Sequence, residues 1–136
     1  MAFANRFDVD MLAVDTNVLV RLLARDDARQ ALAADQAVAK GAWVSHLVLA
    51  EAIRVLDAVY GRAPKQVIAA LDLLLVQEGL VLQDADVIHA ALTQFRAKPA
   101  LAFSDCLVLE IARKAGHMPL ATFDKALARL PGAQKL

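Results

Sequence analysis

The 136 residues are 59% hydrophobic and 22% charged, with five Gly and four Pro; that is enough apolar material for one domain-sized core, and it excludes a disordered, collagenous or low-complexity chain. Fifteen Lys and Arg balance fifteen Asp and Glu, so no overall basic field exists to hold a polyanion, and any nucleic acid must be gripped locally. The single cysteine, Cys106, excludes an internal disulfide and a cysteine-built zinc site. Apolar stretches are broken by Glu51, Asp72 and Asp105 before they reach a membrane span's length, and residues 1–10 lack an apolar signal core, which predicts a soluble, cytoplasmic protein.

In chain order, residues 11–14 form an apolar run ending at Asp15, and the side-chain oxygens of Thr16 and Asn17 suit the cap of a helix carrying Leu19, Leu22 and Leu23. A second helix is predicted over residues 28–39, stopped by Gly41, then a strand over 43–45. Helical spacing returns over 47–59, and a further helix opens at Pro64 and runs to Val76 before Gly79. Residues 80–82 are a third strand, 84–98 a helix ended by Pro99, and 104–115 a helix closed by Gly116. A fourth strand over 119–122, a short helix over 124–130 and an edge strand over 134–136 complete the chain. Strands alternating with helices predict right-handed crossovers and an α/β fold, a central parallel sheet of four to five strands flanked by helices in a three-layer sandwich.

In such sheets, function gathers at the carboxyl ends of the strands. Asp15 follows the first strand, Glu51 lies on the helix after the second, Asp124 follows the fourth, and Asp105 opens the helix before it. Carboxylates about 5 Å apart at an effective dielectric near 20 repel by roughly 3 kcal/mol, so a cluster of them calls for a cation. Oxygen-only ligands favour Mg²⁺ or Mn²⁺, held by a few carboxylates with waters left for exchange, which is the chemistry of phosphoryl transfer. The plain alternatives are that Asp105 and Asp124 cap helices and that Glu51 is a solvated face residue. Thr16, Asn17, Ser104 and Thr122 are candidate supporting groups, as caps or as partners that orient the acids. Arg21, Arg25, Arg54 and Lys125, close in sequence to the acids, are candidate contacts to RNA phosphates. His46, His89 and His117 lack metal-ligand spacing, and no Ser or Cys nucleophile accompanies a recognisable base.

The segments AVDTNVLVRLLARD around Asp15, SHLVLAEAIRVL around Glu51, FSDCLVLEIARKAG around Asp105 and PLATFDKAL around Asp124 together resemble the PIN-domain ribonucleases, and within them the VapC-type toxins of toxin–antitoxin pairs. The resemblance implies a PIN-like sheet in strand order 3-2-1-4-5 within a single domain spanning residues 1–136, of which 1–10 are an N-terminal extension. It implies a Mg²⁺- or Mn²⁺-dependent endoribonuclease in which Asp15, Asp105 and Asp124 hold metal, with Glu51 completing the shell directly or through water. RNA as substrate, a cognate antitoxin and a homodimer follow from the same resemblance. Phe123 stands where many relatives carry a polar residue. Two alternatives are a catalytically inactive PIN-like binding module and a haloacid-dehalogenase-like phosphatase, although the second needs an Asp where Asn17 stands.

Overall fold

The computed structural model describes residues 11–136; the predicted extension over residues 1–10 lies outside them. The chain divides after Gln83 into two compact units. In the first, β1 (Leu12–Ala13) leads into α1 (Thr16–Ala24) and α2 (Ala28–Ala39), followed by β2 (Ala42–Val44), α3 (His46–Ala58), α4 (Pro64–Val76) and β3 (Leu80–Leu82). The second contains α5 (Ala85–Ala97), α6 (Phe103–Ala115), β4 (Leu120–Thr122), a 3₁₀ turn (Leu127–Arg129) and β5 (Ala133–Lys135).

Local chemistry sets most of these boundaries. Asp27 and Ser45 cap α2 and α3 by accepting the backbone N–H groups of Gln30 and Val48. At α4, Pro64 occupies the first turn, where its missing N–H costs nothing, and Gln66 reaches back to accept the N–H of Ala63 at 2.8 Å. The left-handed Gly116 closes α6. Gly79, also left-handed at φ +86°, lies against the Val38 carbonyl so closely that a Cβ would clash with it.

The first unit packs α1 against α2 and α3, burying Leu19, Ala31, Ala34, Leu49 and Leu56. The second packs α5 against α6, with Phe95 and Phe103 edge to face at 6.0 Å and Ile88, Leu92, Leu107 and Leu109 buried. Among the described residues no helix is long and apolar enough to cross a membrane.

The parallel pairing expected of an α/β fold is present, but the single sheet of order 3-2-1-4-5 is not. Strands β1-β2-β3 form one parallel sheet and β4-β5 another. The strands are only two or three residues long, and each ladder satisfies its few backbone groups locally: Leu12 and Val14 donate to Gly41 and Trp43, Leu120 donates to Gly132, and the Thr122 carbonyl accepts from Leu136. Ala42, Val44 and Leu82 are buried, whereas Trp43 and Val81 at alternate positions are exposed. The predicted helix over 124–130 shrinks to the one 3₁₀ turn.

Candidate active site

Asp15, two residues past β1, takes the cap position expected of Thr16 and Asn17. Its Oδ1 accepts the N–H of Val18 at 3.1 Å, and the carboxylate stays exposed. Thr16 is half-buried as the first residue of α1, and Asn17 is exposed on its first turn. The cap follows from backbone geometry: Asp15 is extended (ψ −179°), which aims its side chain back at the free N–H groups of the first turn.

Glu51 lies on α3 with Oε2 2.7 Å from Arg54 Nη2. Arg54, expected to contact phosphate, is therefore occupied by a candidate acid. The other two arginines are occupied as well. Arg25 grips Asp35 through both terminal nitrogens, at 2.9 and 2.7 Å. Arg21 donates to Asp26 Oδ1, to the Tyr60 hydroxyl and to Gln30 Oε1, while the Tyr60 hydroxyl donates to Asp26 Oδ2. The hydroxyl of Tyr60 and the charge of Arg21 hold the Asp26 carboxyl below the ordinary carboxylate range. Lys125 is exposed beside Asp124.

In the second unit, Asp105 lies in the first turn of α6, following the half-buried Ser104. Asp124 terminates the β4 segment in a local net: Oδ1 accepts the N–H groups of Ala126 and Leu127 at 2.8 and 3.1 Å, and its own N–H donates to Thr122 Oγ1 at 3.0 Å. Thr122 Oγ1 thus holds the backbone of Asp124 rather than its carboxylate. Burial, and after it the negative charge of Asp124, push the Asp105 carboxyl above the ordinary carboxylate range. Neither acid forms an ion pair with another described residue. The neighbouring Cys106 thiol is pushed up to about 11, chiefly by burial and then by the charges of Asp105 and Glu110, which makes it a packing group rather than a nucleophile.

The structure thus brings together Asp105 with Asp124, and Asp124 with Thr122. Within neither unit do three or more His, Cys, Asp or Glu side chains among the described residues gather in a way that would hold a metal ion. Asp15 and Glu51 belong to the first unit, Asp105 and Asp124 to the second.

The sequence matches the PIN domain family over residues 12–133. The chain belongs to that family. Membership sets aside the haloacid-dehalogenase alternative and accounts for six helices around parallel strands. Among solved structures, this PIN domain is similar to the Mycobacterium tuberculosis toxin VapC20, described as a sarcin–ricin loop cleaving toxin. The two are 20% identical with a TM-score of 0.39, and the match covers 90% of this chain and 97% of that one. No curated protein matches the chain.

Three residues of this PIN domain carried no signal at the level of sequence. Gln30 and Tyr60 come to Arg21 from nine and thirty-nine positions away, outside any motif. Glu110 is buried on α6, where it accepts from Arg113 Nε at 3.0 Å and Gln94 Nε2 at 3.3 Å; Arg113 in turn donates to the Pro131 carbonyl. That net ties the segment before β5 to the helix that carries Asp105.

Proposed function

We propose that this PIN domain is a divalent-metal-dependent endoribonuclease of the VapC toxin type, with Asp15, Glu51, Asp105 and Asp124 as its working acids. The observation that carries the proposal is that this PIN-family chain keeps Asp105 beside Asp124 with no basic partner for either, an arrangement that a cation would stabilise; burial and the Asp124 charge push the Asp105 carboxyl up accordingly. The donors fit Mg²⁺ or Mn²⁺, since Asp105 and Asp124 offer hard oxygen atoms and no sulfur or imidazole. Such an ion lowers the pKa of bound water and offsets negative charge on the phosphate.

The chain's own residues have separate roles. Asp105 and Asp124 would hold the cation, with the Thr122 hydroxyl and the turn amides fixing the orientation of Asp124. Asp15, whose Oδ1 is engaged by its cap bond, would contribute as a further metal-binding acid. In Glu51 the Arg54 pair engages Oε2 and leaves Oε1 to orient the attacking water. Water adds to phosphorus opposite the 3′ oxygen and the P–O3′ bond breaks, giving a 5′-phosphate and a 3′-hydroxyl. Because Arg21, Arg25 and Arg54 already hold acids, Lys125 is the member of the predicted basic set best placed to meet phosphate. As a VapC-type toxin the chain would act as a homodimer restrained by a cognate antitoxin.

The test is cleavage of total cellular RNA by the purified chain in Mg²⁺ or Mn²⁺, beside Asp15→Asn, Asp105→Asn and an EDTA control. Metal-dependent cutting with 5′-phosphate ends, lost in both variants, is the expected result. Cutting in EDTA that leaves 2′,3′-cyclic phosphate ends would exclude the mechanism, and RNA binding without any cutting would favour the inactive binding module.

A further inference from the structure

In the second unit the chain runs along α6 and returns along β4, so Asp105 in the first turn of the helix and Asp124 just past the strand come to one end, close enough for the charge of Asp124 to be felt at Asp105. Like charges at that end push helix and strand apart. The other end carries an attractive contact instead. Arg113, in the last turn of α6, donates through Nε to Glu110 Oε1 at 3.0 Å and through Nη2 to the Pro131 carbonyl at 2.6 Å. Glu110 is buried, and its second oxygen accepts from Gln94 Nε2 of α5 at 3.3 Å. Gly132, left-handed at φ +93°, lies so close that a Cβ there would stand 2.9 and 3.0 Å from the two terminal nitrogens of Arg113, which seats the guanidinium directly on this stretch of backbone.

Pro131 and Gly132 lead into β5, and β5 carries the tie toward the acids. The Gly132 carbonyl accepts the N–H of Leu120 at 2.8 Å, the ladder runs from Leu120 opposite Ala133 to Thr122 opposite Lys135, and Leu136 donates to the Thr122 carbonyl at 2.9 Å. Asp124 follows two residues later with its own N–H on the Thr122 hydroxyl. At about 3.3 Å per residue so short a ladder does not bend, and a displacement at its start is passed to its end. Arginine is the residue this contact needs, because its planar fork serves two acceptors in fixed directions where a lysine offers one point charge. A pair built on a buried carboxylate is a weak source of stability in itself, and its better use is to fix one geometry.

We infer that Glu110 and Arg113 are positioning residues for the acidic site: by tying α6 to the Pro131 carbonyl at one end of the helix–strand pair, they set the separation of Asp105 and Asp124 at the other, against the repulsion of the two carboxylates. Neither residue touches metal or substrate, and both act through the backbone of β5 and β4. The consequence for a cation rests on the metal-dependent nuclease reading, whereas the tie itself does not.

The experiment compares the full wild-type chain with Arg113→Met, with Arg113→Lys, which keeps a charge for Glu110 but gives up the fork that also reaches Pro131, and with Ile88→Val, which loosens the α5–α6 core without touching the clamp. Arg113→Lys decides the question if Arg113→Met fails to fold. In the metal-free proteins NMR reads the backbone amides of Ala126 and Leu127 in the Asp124 turn; Mn²⁺ affinity is then measured by calorimetry, and RNA cleavage is followed as Mn²⁺ is raised. The Arg113 variants are expected to shift the turn amides and to weaken Mn²⁺ binding by roughly tenfold, with cleavage recovering at high Mn²⁺, while Ile88→Val lowers Tm and leaves both readouts near the wild type. Turn amides that stay in place, or move as much in Ile88→Val, overturn the inference. Moved amides with Mn²⁺ bound within twofold of the wild-type affinity overturn it as well. Absence of Mn²⁺ binding or of cutting in the wild type, with the turn amides still moved by the Arg113 variants alone, upholds the tie and overturns the nuclease reading.

Discussion

In the first unit Arg21, Arg25 and Arg54 are each closed onto an acid of their own neighbourhood, Asp26, Asp35 and Glu51. In the second unit Arg113 pairs with Glu110 and Lys114 with Asp84 and Asp86, and Asp105 and Asp124 are left with each other. Exposed pairs such as those of the first unit contribute little to stability, and a folded chain has no reason of stability to leave two carboxylates facing each other. The difference teaches that sequence proximity of a basic residue to an acid says little about which acid it neutralises, and it is the uncompensated pair on which the proposed mechanism rests.

The sharpest way to break this comparison is to neutralise the unpaired acid on one side and to strip a paired acid of its cation on the other. On the proposed mechanism, Asp105→Asn should lower RNA cleavage by at least about a hundredfold. Arg54→Ala, which leaves Glu51 without its cation, should cost far less activity and produce no resolvable change in Tm by thermal unfolding. If Arg54→Ala abolished cleavage as completely as Asp105→Asn, the distinction between paired and unpaired acids would be lost.

A smaller but firm effect is expected at the turn that leads into β3. Gly79→Ala forces a side chain into a left-handed position and against the Val38 carbonyl, so urea denaturation should show a loss of about 1–3 kcal/mol. Tyr60→Phe removes one hydroxyl that both accepts from Arg21 and donates to Asp26, and should cost about 1 kcal/mol. It should also let the Asp26 carboxyl move back up toward its ordinary value.

The smallest effect is also the most direct view of the comparison. By NMR titration, Asp26 and Asp35 should ionise below the ordinary carboxylate value and Asp105 above it. The signs for stability are opposite. The depressed acids stabilise the fold above the unfolded-chain value near 3.8, and that contribution is lost as pH falls through their folded values. Asp105, raised, binds its proton more tightly when folded, so its contribution declines as pH rises from 3.8 through its folded value. Asp124→Asn should return Asp105 part of the way, because burial, the larger cause, remains; added Mg²⁺ should raise the Tm of the wild type more than that of Asp105→Asn.

Much of the chain was legible before any coordinates. The spans of α2, α4 and β3 match their predicted limits, because Gly41, Pro64 and Gly79 act over a few residues through φ restriction and the missing N–H of proline. Cap assignment was less so: Thr16, Asn17 and Asp15 can all accept an N–H, and only the extended backbone at Asp15 selects among them.

The sequence alone thus determined the helices, the alternation with parallel strands and the family, since these are carried by local propensity and by residues close to one another in the chain. Only the tertiary structure decided that the strands pair as two ladders, that Glu51 is neutralised while Asp105 is not, and that Gln30 stands beside Asp15 with its oxygen held by Arg21. Those are contacts whose partners come from other elements, and their outcome depends on distance, burial and competition among many charges rather than on any spacing along the chain.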